Sequence, residues 1–253
     1  MAFSKRALPC CVMLGMLVAV AALAEDRPNP DHPNPDRAIQ PSTDPAVHLT
    51  HAAVISTTQT YDPQNPTHEM PAPDADEAGV TVSDFSCTAK VTGTILTQSP
   101  RGRDVQATVR VDSVEIALQL KVHEWISQNA PRKMWSHEGG HRIIAEHFYA
   151  GADATAGNIG HEMIGREFFG TGIDANTAAN AALTRAASDI TRRYMAEVRD
   201  PSEQVQEIYD RITNHGTNAI DELDAINQSL TEAQKTLGRS PIAENQSRDA
   251  TVK

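Results

Sequence analysis

Cysteine is nearly absent from this chain: Cys10, Cys11 and Cys87 are the whole supply. The first two fall in a stretch that reads as a removable leader, which leaves Cys87 alone and excludes an intramolecular disulfide in the remainder. The domain must then be held by its core or by a metal. Basic residues are also few, 22 against 33 acidic ones, for a net charge of −11. That balance excludes nucleic acid and anionic lipid as partners, since both select basic patches. Aromatic residues make up 4% of the chain, too few for a large aromatic-lined pocket. The apolar run from Cys11 to Leu23 is too short for a comfortable membrane span, so no stable membrane insertion is expected.

That short run has a different reading. Lys5 and Arg6 precede it and Ala22-Leu23-Ala24 closes it, the pattern of a secretory signal peptide cleaved after Ala24. The expectation is a periplasmic or secreted protein. Loss of Lys5 and Arg6 removes two positive charges and moves the balance to −13. Cys10 and Cys11 lie before the apolar core, away from the cleavage point, so a lipid anchor is not expected.

Residues 25–79 change character. Arg27 to Asp36 reads RPNPDHPNPD, and prolines recur at 41, 45, 63, 66, 71 and 73. Large apolar side chains are scarce, so the segment cannot offset its own ordering entropy. It reads as a flexible linker or a propeptide, with one short strand around Val47 to Ile55. Its histidines, 32, 48, 51 and 68, read as solvated groups in a tether. The folded domain is expected over 80–230 and a polar tail over 231–253.

Within the domain, Cys87 to Thr97, Val105 to Val111 and Ser113 to Trp125 carry strand signals. The clearest is Val114, Ile116, Leu118, Leu120 and Val122 at every second position. Arg101 to Asp104 reads as a hairpin turn. Helical spacing then takes over at Pro131 to Tyr149 and Asn176 to Val198, and Asp200-Pro201-Ser202-Glu203 reads as a fresh helix start. Strands followed by helices make an α+β domain.

His137-Glu138-Gly139-Gly140-His141 carries the chemistry. Residues four apart on a helix differ by about 40° in direction and about 6 Å in height, so both imidazoles can meet one ion. Zinc accepts neutral imidazole nitrogen, and a catalytic zinc keeps one position for water. Glu138 suits a general base for that water. At this His and Glu content an accidental match is expected roughly 0.02 to 0.03 times in such a chain. His137, His141, Ile144, Ala145 and Phe148 share one helical face, which turns both histidines inward.

A third protein ligand is required, and three residues compete. His147 has the spacing of a third metzincin histidine. Ile144 stands where that pattern has glycine, however, and on an unbroken helix His147 lies about 15 Å along the axis from His137. His215 continues the apolar stripe of the late helix and is the leading choice, with Asp210 the alternative. Glu146 is confined to the same helix as the pair, and His161 reads as a loop residue. Tyr209 is a candidate hydrogen-bond donor to a developing oxyanion. Cys87 reads as a buried hydrophobe.

His137-Glu138-Gly139-Gly140-His141-Arg142-Ile143-Ile144-Ala145-Glu146, followed by Tyr209-Asp210, Thr213 and His215-Gly216, resembles the bacterial predicted secreted zinc-dependent proteases, a family catalogued as a domain of unknown function. The similarity covers about residues 85 to 230. It implies export, a zincin fold and hydrolysis of peptide bonds in a peptide or protein substrate. Zinc would be held by His137, His141 and His215, with Glu138 and Tyr209 catalytic. The competing expectation is a zinc-stabilised envelope scaffold that kept the helix and lost turnover.

Overall fold

The alternating apolar residues near 114–122 do form a strand, and one far longer than its pattern. In this computed structural model, which describes residues 46–65, 70–71 and 78–238, two long strands dominate. β3 (Gly79–Arg101) and β4 (Asp104–Ser127) pair antiparallel along their whole length through the expected turn at 101–104. The strands expected at 105–111 and 113–125 are therefore one. Buried apolar residues fall on odd numbers up to Val111 and on even numbers from Val114, which mimics a break. The register explains the switch: Thr92 faces Ser113 while Gly93 faces Val111, so Asp112 is one extra residue on β4. A bulge of this kind keeps both halves pointing their apolar side chains to one face. Leu96 is the compensating extra residue on β3.

β3 fills one edge of β4, and three short strands fill the other end to end. β5 (Glu167–Gly172) lies antiparallel to Val105–Arg110. β1 (Val47–His51) and β2 (Ile55–Tyr61) lie parallel to Val114–Leu118 and Lys121–Ser127. Residues 47–61 are thus part of the sheet, which corrects the linker expected over 25–79. The single expected strand at 47–55 is two, interrupted at Ala52 to Val54. Val47 and Tyr61 anchor them in the core, while the intervening Thr, Ser and Gln residues, mostly exposed, gave the segment its linker-like composition. The signal peptide 1–24, the linker stretch 25–45 and the tail from 239 onward lie outside the described residues.

Among the described residues, five α-helices complete the domain: α1 (Arg132–Ala150), α2 (Ala152–Met163), α3 (Ala175–Tyr194), α4 (Asp200–Thr213) and α5 (Glu222–Leu237). The first three cover the apolar sheet face. Ile116, Leu118, Leu120 and Val122 meet Ala145, Tyr149, Ile159, Met163, Ala186 and Ile190 in the main core, each large aliphatic contributing about 1.5–3 kcal/mol. The architecture is α+β. The expected helix start at Asp200 is where α4 begins, with Pro201 in its first turn, but Asp200 is helical rather than a cap, because a π-helical turn over Met195–Arg199 joins α3 to α4. Pro201 has no N–H to continue the α ladder, and the wider turn falls just ahead of it. α5 begins at 222 and passes the expected domain limit of 230, its first turn capped by the Asp221 carboxylate, which accepts from Leu223 N and Asp224 N.

α4 and α5 pack on α1 rather than on the sheet, joined through Ile144, Val205, Tyr209, Ala225 and Ile226. α1 is therefore enclosed between the sheet and α4, and its polar residues must find partners on both sides. No helix among the described residues is long and apolar enough to cross a membrane.

Candidate metal centre

On the α4 side of α1, His137 and His141 point at one spot. Their Nε2 atoms are 3.3 Å apart. Asp210, on the facing turn of α4, brings Oδ1 to 3.3 Å from His137 Nε2 and 2.9 Å from His141 Nε2. Zinc bonds of about 2.0–2.1 Å at tetrahedral angles separate donors by about 3.3 Å. The three atoms thus form one face of a tetrahedron of the right size. Among the described residues, His137, His141 and Asp210 are the group of this kind that can hold a metal ion. Two imidazoles and a carboxylate suit zinc and its first-row neighbours.

The surroundings prepare these donors. His141 Nδ1 lies 3.2 Å from Gln206 Oε1; that acceptor assigns the proton to Nδ1 and leaves the Nε2 lone pair for a metal. Gln206 sits one turn before Asp210 on α4. His137 Nδ1 has no protein hydrogen-bond partner among the described residues. Burial alone would raise Asp210, but the two imidazoles outweigh it and hold the carboxyl below the usual carboxylate range. Burial would likewise lower His141, and Asp210, Glu138 and Gln206 together carry it upward instead.

Glu138 faces the sheet side of α1 and is 3% exposed. The hydroxyl of Thr81, on β3, donates to its Oε2 at 2.7 Å. Burial raises its carboxyl above the ordinary range, opposed by His141, Thr81 and His137. Thr58, Glu124 and Thr81 are paired neighbours across β2, β4 and β3, and this row supports α1 from below. Thr81 holds Glu138, while buried Glu124 accepts from Thr58 and from Arg142 Nε at 3.2 Å.

Two of the expected assignments change. His215 is exposed and does not join the donor group. α4 ends at Thr213, and Asn214, His215 and Gly216 all take positive φ (49°, 51° and 75°). The helical stripe that placed His215 inward stops two residues before it. The neighbouring glycine is the one that matters: a Cβ on Gly216 would stand 2.9 Å from His137 Cγ. Tyr209 is also reassigned. Its ring lies parallel to the His137 imidazole, 5.0 Å away and within 10°, and edge-on to His141. Its hydroxyl is buried and donates to the Glu222 carboxylate, so it packs behind the histidines with its polar end already engaged. Gly140 permits this approach, since a Cβ there would overlap the Tyr209 hydroxyl.

His147 is exposed on α1, and its ring contact is with Phe148. His161, expected in a loop, lies in the last turn of α2. Thr81, Gln206, Glu124 and Glu222 were not singled out from the sequence. Of these, Gln206 alone had a readable signal, four residues before Asp210 on the same helical face.

A scan of family models found no match for this chain, and searches of curated proteins and of solved structures found none either.

Proposed function

We propose that the protein is an exported zinc-dependent peptidase of the zincin type, acting on a peptide or protein substrate. The observation that carries this reading is the convergence of His137 Nε2, His141 Nε2 and Asp210 Oδ1 at tetrahedral donor spacing, beside a buried carboxylate on the same helix. His137, His141 and Asp210 would hold the ion. Zinc supplies Lewis acidity, which lowers the pKa of water and polarises a scissile carbonyl. Glu138, its carboxyl raised by burial, is suited to take a proton from water and return it to the leaving amine. Thr81 fixes which carboxylate oxygen is free, since its hydroxyl occupies Oε2. Gln206 fixes the tautomer of His141.

A second reading draws on the enclosure of the site. His137 and His141 are only 3% and 8% exposed, which also suits a metal that stabilises a non-catalytic envelope scaffold. One experiment separates the two. Metal content by elemental mass spectrometry and hydrolysis of a denatured protein substrate are measured on wild type and Glu138→Gln. The peptidase reading expects about one zinc in both proteins and turnover in wild type alone. Zinc with no turnover in either protein would favour the scaffold, and no zinc after reloading would overturn both.

A further inference from the structure

Tyr209 is held at its hydroxyl by a backbone carbonyl and a carboxylate that the proposed chemistry does not use. Its ring is stacked on His137, and its single hydroxyl proton lies between a Glu222 carboxylate oxygen and the His137 carbonyl, 3.3 Å away. The other carboxylate oxygen of Glu222 meets Lys133 Nζ at 2.8 Å. The contact is an ion pair, and the ammonium donates its hydrogen bond to the Ile220 carbonyl at 2.5 Å. Lys133 stands one helical turn before His137 on α1. The contacts close a circuit: from α1 through Lys133 to Glu222 at the start of α5, to Tyr209 on α4, and back to α1 at the His137 carbonyl.

Asp210 follows Tyr209 directly in the chain. Whatever fixes Tyr209 along the α4 axis also fixes where Asp210 meets the two histidines. Phenylalanine would fill the same space and stack on His137 equally well, but it would leave the circuit open. The Glu222 side chain is 18% exposed and that of Lys133 34%. A half-buried ion pair of this kind contributes little to stability alone, because desolvation and solvent screening offset much of its attraction. Its use is directional: it aims one phenol hydroxyl and so sets the spacing of α1 and α4 at the donor atoms.

The geometry points to Glu222 as a positioning residue for the metal donors, acting through Tyr209. This rests on the metal-centre reading proposed above, and partners behind the ligands commonly change metal affinity ten- to a hundredfold.

The test uses the full chain as wild type, Glu222→Ala, Glu222→Gln, Tyr209→Phe and the Glu222→Ala/Tyr209→Phe pair. Zinc affinity is read by competition with a chromophoric chelator, and donor geometry by the visible absorption of the cobalt-loaded protein. Circular dichroism and melting of the metal-free forms report folding. Glu222→Ala and Tyr209→Phe should each weaken zinc ten- to a hundredfold and shift the cobalt bands. The pair should be no worse than either alone, and Glu222→Gln, which keeps an acceptor, should recover part of the loss. Should an alanine variant fold poorly, Lys133→Met opens the same circuit at its far end and should give the same cobalt shift. Wild-type affinity and spectra in folded variants would overturn the role of Glu222 while leaving the metal centre standing. Additive losses in the pair would also overturn it. A wild type that binds neither zinc nor cobalt would overturn the metal centre itself.

Discussion

Thr81 on β3 and Glu138 on α1, 57 residues apart in the chain, share a 2.7 Å hydrogen bond from the threonine hydroxyl to carboxylate Oε2. The contact joins the sheet edge to the residue proposed as base, and it engages one of the two oxygens of Glu138. Removing it should leave the metal donors intact and disturb the base alone. Thr81→Val is expected to keep about one zinc and to lose about tenfold in kcat, with a stability loss of about 1–2 kcal/mol from the unpaired buried carboxylate. Thr81→Ser, which retains the hydroxyl, should restore turnover. Steady-state kinetics with metal analysis checks this, and loss of zinc in Thr81→Val would refute the division of labour.

The third donor gives a second prediction. Asp210→Ala should lower zinc affinity at least a hundredfold, because a two-imidazole site is left without its carboxylate. His215→Ala should bind zinc as wild type does. His215→Gly should be more stable than wild type by about 0.5–1 kcal/mol, because the residue sits at a φ of 51°, where glycine carries no Cβ penalty. Chelator competition and thermal melts decide this; a zinc-free His215→Ala protein would return the ligand role to that histidine.

Adjacent glycines supply a third. A Cβ on Gly139 meets nothing, whereas one on Gly140 overlaps the Tyr209 hydroxyl. Alanine is the better helix former, so Gly139→Ala should stabilise by about 0.5–1 kcal/mol. Gly140→Ala should destabilise by about 1–3 kcal/mol, because α4 is forced off α1. It should also weaken zinc, since Asp210 moves with α4. Denaturant titrations of both variants test the contrast, and equal effects would mean that α1 and α4 are not in contact at this point.

The pair His137 and His141 with Glu138 was legible because all three lie on one helix, where spacing alone fixes direction. Asp210 was visible only as an alternative to His215, since choosing between them required knowing that α4 stops at Thr213. Gly216, next to His215, lies close against His137, a contact that helical spacing could not show. Thr81 and Glu222 gave no signal because a hydroxyl on an edge strand and a glutamate in a first helical turn are ordinary residues until the fold brings them to Glu138 and Tyr209. In the sheet, alternation located β4, and the extra residue Asp112 disguised one strand as two. β1 and β2 were hidden by composition: they are narrow edge strands whose threonines and serines resemble a tether.

Cys87 gives a prediction independent of the metal. Its side chain is buried at 6% exposure, and burial pushes the thiol up to about 11 from an ordinary value near 9, with Thr191 opposing weakly. The folded state therefore favours the neutral thiol more than the unfolded chain does. Linkage fixes the sign: a raised folded value contributes stability that is fully present below pH 9 and is lost as the pH climbs through 9 to 11. The loss attributable to this one group should reach about 2–3 kcal/mol at pH 11. Other groups titrate in the same range, so the comparison must be with Cys87→Ala, which starts less stable by about 1 kcal/mol for the lost side chain but lacks the thiol. Wild type and variant should converge and then cross as pH rises, with wild type resisting alkylation by iodoacetamide at pH 8 throughout. Parallel stability curves, or rapid alkylation of the native protein, would show that Cys87 titrates as an exposed thiol and that the β3–α3 interface opens readily.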